Sequence, residues 1–123
     1  MKVGVIGCGF FAQNHLHAWQ DIEGVDVVAL CDNDQSNLFA TSKAFKIRRQ
    51  FTDAVELFKY GQFDIVDIAT TAPSHRSLVE MAAQHTKHII CQKPFAESVK
   101  DARAMVGAVE ATGKTLMVHE NFR

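Results

Sequence analysis

The stretch Val3 to Ala12, V-G-V-I-G-C-G-F-F-A, decides the fold. Small and apolar residues run up to Gly7, then come Gly7-x-Gly9-x-x-Ala12 and a helical pattern. A strand, a tight turn and a helix in that order cradle a pyrophosphate. Gly7 permits the turn, Gly9 lets backbone approach phosphate, and Ala12 lets helix and strand pack closely. The amides at the helix start and the positive end of its dipole then face the anion. Glycine turns are common, so the motif gains weight from an acid about 20 residues further on. Asp32 lies 20 residues after Ala12, directly behind the apolar run Val25 to Cys31.

From there, strand-like runs alternate with helical patterns along the chain. Lys2 to Ile6, Val25 to Cys31, Ile47 to Phe51, Asp64 to Ala69, His88 to Cys91 and Thr115 to Val118 read as strands. Phe11 to Gln20, Gln35 to Phe45, Asp53 to Tyr60, Ser74 to His85 and a segment ending near Thr112-Gly113 read as helices. Thr52 offers an N-cap and Gly61 a stop for the third helix, and Ser98 with Asp101 forms a capping box for the last. Strands apolar on both faces and joined by helices make a parallel sheet covered on both sides. The expected architecture is a Rossmann-type doubly wound α/β fold. It has six strands in the order 3-2-1-4-5-6, helices on both faces, and ligand where the order reverses.

The 123 residues fit one domain, with 47% apolar and 22% charged residues, the balance of a soluble globular protein. A formal net charge of −1 gives no overall basicity to recruit nucleic acid or an anionic membrane. No apolar run approaches the ~20 residues that span a bilayer, and a strand beginning at Lys2 leaves no room for a signal peptide. Cys8, Cys31 and Cys91 are widely spaced and odd in number, which suggests free thiols in a reducing cytoplasm. All three sit near strand ends without a C-x-x-C pair, so they read as small buried residues lining a cofactor pocket, and no metal is expected.

Asp32 at the end of the second strand is suited to accept hydrogen bonds from both adenosine ribose hydroxyls and to repel a 2'-phosphate. Its neighbours Asn33 and Asp34 supply no cation, whereas Arg48 and Arg49 on the adjacent short strand could reach over. NAD is therefore expected and NADP disfavoured; the competing role for Asp32 is an N-cap. Lys93, in Cys91-Gln92-Lys93-Pro94, stands at the strand edge where ligands bind, and partial desolvation there would fit it to proton transfer. Read plainly, it is a surface lysine before a turn-forming proline. His75, in T-A-P-S-H-R, suits proton transfer near neutral pH, or equally packing or capping. His15 and His17 are two apart on one helix, face different ways and cannot form a metal pair.

These residues together resemble the glucose-fructose oxidoreductase / inositol dehydrogenase (Gfo/Idh/MocA) family of sugar and polyol dehydrogenases. The resemblance runs through Gly7 to Ala12 with His15, Asp32, Ile68-Ala69-Thr70 leading to Pro73 and His75, then Lys87-His88 and Lys93-Pro94. Lys93-Pro94, 18 residues after His75, and the closing Asn121-Phe122-Arg123 are its most specific parts. Within the family, C-Q-K-P-F and H-E-N-F-R are similar to a subgroup that includes apiose dehydrogenases. The resemblance implies that the lysine reaches the nicotinamide ribose and the substrate hydroxyl and relays its proton, which makes Lys93 the expected catalytic residue. The expected cofactor contacts are Gly7, Cys8, Gly9, Phe10, Phe11, Ala12, Asp32, Asn33, Thr70, Thr71, Pro73, His75, Gln92, Lys93 and Asn121. Gln92 departs from the family's glutamate; losing that anion should ease formation of a neutral lysine base.

The resemblance also implies a second α/β domain with the substrate pocket and the oligomer contacts. Residues 1–123 are then a fragment, the NAD(P)-binding domain alone, expected to be inactive by itself. The implied whole is a cytoplasmic homo-oligomer acting on a sugar or polyol, with no nucleic-acid or membrane partner. Two other classes share the fold: a non-catalytic NAD-dependent sensor or corepressor, against which Lys93 argues, and an NAD-dependent glycosidase.

Overall fold

The computed structural model describes residues 1–119. Strands β1 (Lys2–Ile6), β2 (Asp26–Cys31), β3 (Arg49–Phe51), β4 (Ile65–Ile68), β5 (His88–Gln92) and β6 (Thr115–His119) alternate with five helices. The helices are α1 (Phe10–Gln20), α2 (Gln35–Phe45), α3 (Ala54–Tyr60), α4 (Ala72–His85) and α5 (Val99–Thr112). All strands are parallel, in the expected order β3-β2-β1-β4-β5-β6. Asn121, Phe122 and Arg123 lie outside the described residues.

Side chains alternate across each strand, so the apolar runs divide between two layers. Val3, Val5, Leu30 and Ile65 meet Leu16 of α1 with Leu38 and Phe45 of α2 on one face. Ile6, Val66, Ile68 and Ile89 meet Leu57 of α3, Val79 of α4 and Met105 of α5 on the other. Gly4 belongs to that second face, where a Cβ would stand 3.1 Å from the Phe63 ring. The register aligns the strand ends: Ile6 lies between Cys31 and Ile68, and Ile68 faces Cys91. Gly7, Asp32, Ala69 and Gln92 therefore follow at one level and form the rim of the crevice at the β1/β4 reversal.

Local chemistry moves several boundaries. Asp53, not Thr52, caps α3, because its carboxylate accepts the Val55 N–H at 2.9 Å. Helix α4 starts at Ala72, ahead of the expected Ser74, since Pro73 fits a first turn whose N–H groups have no helical partner. The short β3 loses Ile47 and Arg48, and Ile47 instead packs into the core beside α2. Gly61 ends α3 at φ 58°, and Ser98 caps α5 by accepting the Asp101 N–H at 3.1 Å.

Candidate cofactor site at the strand ends

The site is built from loops that leave the C-terminal ends of β1, β2, β4 and β5. After β1 the chain turns at Gly7, φ 105°, where a Cβ would collide at 2.9 Å with the backbone of Ala69. The Gly7 N–H donates to the Cys31 carbonyl at 2.7 Å, pinning the turn to the neighbouring strand. Gly9 is different: its φ of −80° is ordinary, and a Cβ there would meet nothing within 4 Å. The room beside Gly9 opens onto the start of α1. Ala12 is fully buried, while Phe10 and Phe11 stand 82% and 61% exposed at the helix start.

Side-chain caps divide the helix starts: α1 and α4, which flank the strand-order reversal, have none, and the other three do. Asp34, Asp53 and Ser98 close the N-termini of α2, α3 and α5 with side-chain oxygens. Helix α1 has no side-chain cap and no acid in its first turn. Its first N–H groups and the positive end of its dipole are left facing the crevice, the arrangement that binds a phosphate.

Asp32 is anchored on both carboxylate oxygens. Oδ2 accepts the Cys8 N–H and Oδ1 accepts the Asp34 N–H, each at 2.8 Å. The N-cap of α2 is Asp34 rather than Asp32, so the capping alternative for Asp32 falls away. Asn33 is exposed next to it. Arg49 does not turn toward this edge: its guanidinium lies over the Tyr60 ring, 5.5 Å from the centroid.

On the other side of the reversal, Thr70 and Thr71 form the turn from β4 into α4, and Pro73 sits in the first turn of that helix. Ser74 Oγ braces it, 2.6 Å from Thr70 Oγ1 and 2.9 Å from the Thr71 carbonyl. His75 lies beneath this rim, wholly buried, with Nε2 2.8 Å from the Thr70 carbonyl and Nδ1 3.0 Å from the Phe95 carbonyl. Its ring fastens the β4 loop to the β5 loop and offers no face to the crevice. Lys93 and Pro94, joined by a cis peptide bond, occupy that second loop. Lys93 is exposed, so the described residues do not supply the desolvation expected for it. The buried side-chain oxygen of Gln92 has no hydrogen-bond partner among the described residues. A buried acceptor left open at a rim is available to a ligand's donor.

Two supports went unnoticed in the sequence. Gln13 Nε2 donates to Cys8 O at 3.2 Å and Thr41 Oγ1 at 3.0 Å, bracing the glycine loop against α2. Asp67, only 2% exposed in β4, accepts the Trp19 indole N–H at 2.8 Å and lies 2.9 Å from His15 Nδ1. This buried carboxylate ties α1 to β4, and an acid inside the apolar D-I-V-D-I-A run was the available signal. No group of three His, Cys, Asp or Glu side chains able to hold a metal occurs among the described residues. Nor is any described helix long and apolar enough to cross a membrane.

All three cysteines are buried and free. Burial pushes each thiol from an ordinary value of 9.0 up to about 12, with Asp32 adding to the effect at Cys8 and Asp67 at Cys91. Alkylation requires thiolate, so native labelling below pH 9 should run roughly a thousandfold slower than for a free thiol. All three should label quickly once the chain is unfolded in denaturant. Mass spectrometry of timed iodoacetamide reactions checks this, and rapid native modification at any of them would contradict the burial.

Comparison with known proteins gives the geometry a context. The family described as oxidoreductase family, NAD-binding Rossmann fold, matches residues 1–120. A D-apiose dehydrogenase from Paraburkholderia graminis is 61% identical over 99% of the chain and 32% of its own length. Another from Rhizobium rhizogenes is 54% identical over the whole chain and 36% of its own length. The chain thus spans about a third of the length of the curated relatives it matches. Among solved structures, an oxidoreductase from Agrobacterium radiobacter in complex with NAD+, L-tartaric acid and magnesium superposes with a TM-score of 0.97. It is 54% identical and covered over 36% of its length. A WlbA dehydrogenase from Bordetella pertussis, in complex with NADH and UDP-GlcNAcA, is 28% identical with a TM-score of 0.91, and 36% of its length is covered.

Proposed function

Because the chain belongs to the oxidoreductase family with an NAD-binding Rossmann fold, we propose that it holds NAD in an enzyme that oxidises a sugar or polyol hydroxyl. The observation that carries this reading is the uncapped start of α1 beside the doubly anchored carboxylate of Asp32. The amides after Gly9 take the pyrophosphate, with Gly7, Cys8 and Ala12 shaping the turn and Phe10 and Phe11 flanking it. Asp32 receives the adenosine ribose hydroxyls, with Asn33 beside them. Thr70, Thr71 and Pro73 line the middle of the cofactor, and Gln92 offers its open oxygen near the nicotinamide ribose. His75 contributes by holding the Thr70 and Phe95 loops together. Asn121 completes the contact set.

Bound NAD would supply a hydride acceptor. The Lys93 amine takes the proton of the substrate hydroxyl as the carbinol carbon loses its hydride, so the products are a carbonyl compound, NADH and a proton. Substrate binding and oligomer contacts belong to a second domain, corresponding to the part of the relatives beyond the matched span. D-apiose is the first substrate to try, given the likeness to two D-apiose dehydrogenases. The enzyme works in the cytoplasm, without nucleic-acid or membrane partners.

Asp32→Ala should weaken NAD binding about tenfold or more, because hydrogen bonds to a charged group contribute ~1.5–3 kcal/mol. It should also narrow the preference over NADP. Calorimetric titration of the chain checks this, and unchanged NAD affinity would remove the ribose assignment. For the activity, the full-length protein should form NADH from free sugars or polyols. Glycoside cleavage without net NADH, or binding without turnover, would refute the dehydrogenase reading.

A further inference from the structure

We propose that Asp34 is a second cofactor-selectivity residue: its carboxylate occupies the N-terminus of α2 and shuts out the 2'-phosphate of NADP. The inference rests on the reading of this rim as the NAD site. It goes beyond that reading by assigning discrimination to a residue that does not hold the ribose.

The Asp34 N–H donates to Asp32 Oδ1 at 2.8 Å, so residue 34 adjoins the carboxylate that receives the ribose hydroxyls. A phosphate on the 2'-oxygen would project toward this corner. The natural receptor there is the start of α2, an 11-residue helix with its positive dipole end at the rim. That receptor is filled, because Asp34 Oδ1 accepts the Asn37 N–H at 3.0 Å. Asparagine or serine would cap a helix about as well as aspartate, so the negative charge is not needed for capping. The contrast with α1 is direct: its start carries neither cap nor acid.

The lining of the adjoining groove does not offset that charge. The open groove beside α2 is lined by Gln35, Ser36, Leu38, Phe39, Gln50 and Thr52, which are amides, hydroxyls and apolar groups without a cation. Arg49, on the adjacent strand, sits over Tyr60. Its backbone faces Ala29, two residues short of the strand end at Cys31. Against that groove lining a 2'-phosphate would meet the carboxylates of Asp32 and Asp34 with no cation among the residues that line it. Removing one of two nearby like charges at a solvated edge should change affinity for a dianion about fivefold.

The test compares NAD and NADP affinities of the chain by calorimetric titration, with NADP also read by competition against NAD. Asp34→Asn and Asp34→Ser both keep a cap and remove the charge. Each should shift the NADP-to-NAD affinity ratio about fivefold toward NADP, leave NAD affinity within twofold, and lower the melting temperature by only a few degrees. The shift should shrink in high salt, since the interaction is exposed and screened. An unchanged ratio in both variants overturns the proposal. Asp32→Asn separates this from failure of the underlying reading: if it leaves NAD affinity intact, the ribose assignment falls and the Asp34 role falls with it.

Discussion

Gly7→Ala is expected to lower folding stability by about 3 kcal/mol and to abolish measurable NAD binding. A side chain at φ 105° is strained whatever the space, and here the added Cβ also runs into the Ala69 backbone at 2.9 Å. Strain of this kind costs roughly 1–3 kcal/mol, and overpacking adds a similar amount. The obstacle is the end of β4, so relief requires prying β1 and β4 apart at the crevice itself. Gly9→Ala is the informative contrast. At its ordinary φ, with nothing within 4 Å, the Cβ costs little stability. It would instead project into the room a pyrophosphate needs, so NAD binding should fall while unfolding hardly changes. Urea denaturation and NAD titration of both variants check the pair. Equal stability loss at the two glycines would refute the division of labour drawn between them.

Lys93→Ala in the full-length enzyme should lower kcat by about 10²–10⁴-fold, the usual contribution of a general acid–base group. NAD affinity should change only a few-fold, because the adenosine and pyrophosphate contacts lie on other loops. Lys93 is exposed in this chain, so the proposed proton transfer requires cover that bound cofactor and substrate would add. Steady-state kinetics beside NAD titration checks this. A loss confined to NAD affinity, with kcat intact, would make Lys93 a cofactor contact and not a proton acceptor.

The fold was readable because its signals are local and repeated. Apolar runs alternating with capped helices dictate a parallel sheet, and Gly7, Gly9 and Asp32 locate the reversal where a ligand enters. Boundaries slipped where neighbouring residues competed for one role, as Thr52 and Asp53 did for the α3 cap. Asp53 prevailed because its carboxylate reaches the Val55 N–H. The site was harder to read where function depends on contacts distant in sequence. His75 has a partner 20 residues away at Phe95, so T-A-P-S-H-R alone could not distinguish a buried fastener from a surface base. Asp67 reaches His15 across 52 residues, and Gln13 reaches Thr41 across 28. Arg49 looked free to approach the ribose until Tyr60 appeared beneath it.

The central claim is that the uncapped start of α1 and the rim around Asp32 form one dinucleotide seat. Backbone amide chemical shifts of the isotope-labelled chain, followed during NAD titration, test it most directly. The account predicts saturable shifts concentrated at Cys8 to Ala12, Asp32 to Asp34, Ala69 to Thr71 and Gln92 to Lys93. Shifts at the opposite end of the sheet, around Gly24 and Lys46, or no shifts at millimolar NAD, would contradict it.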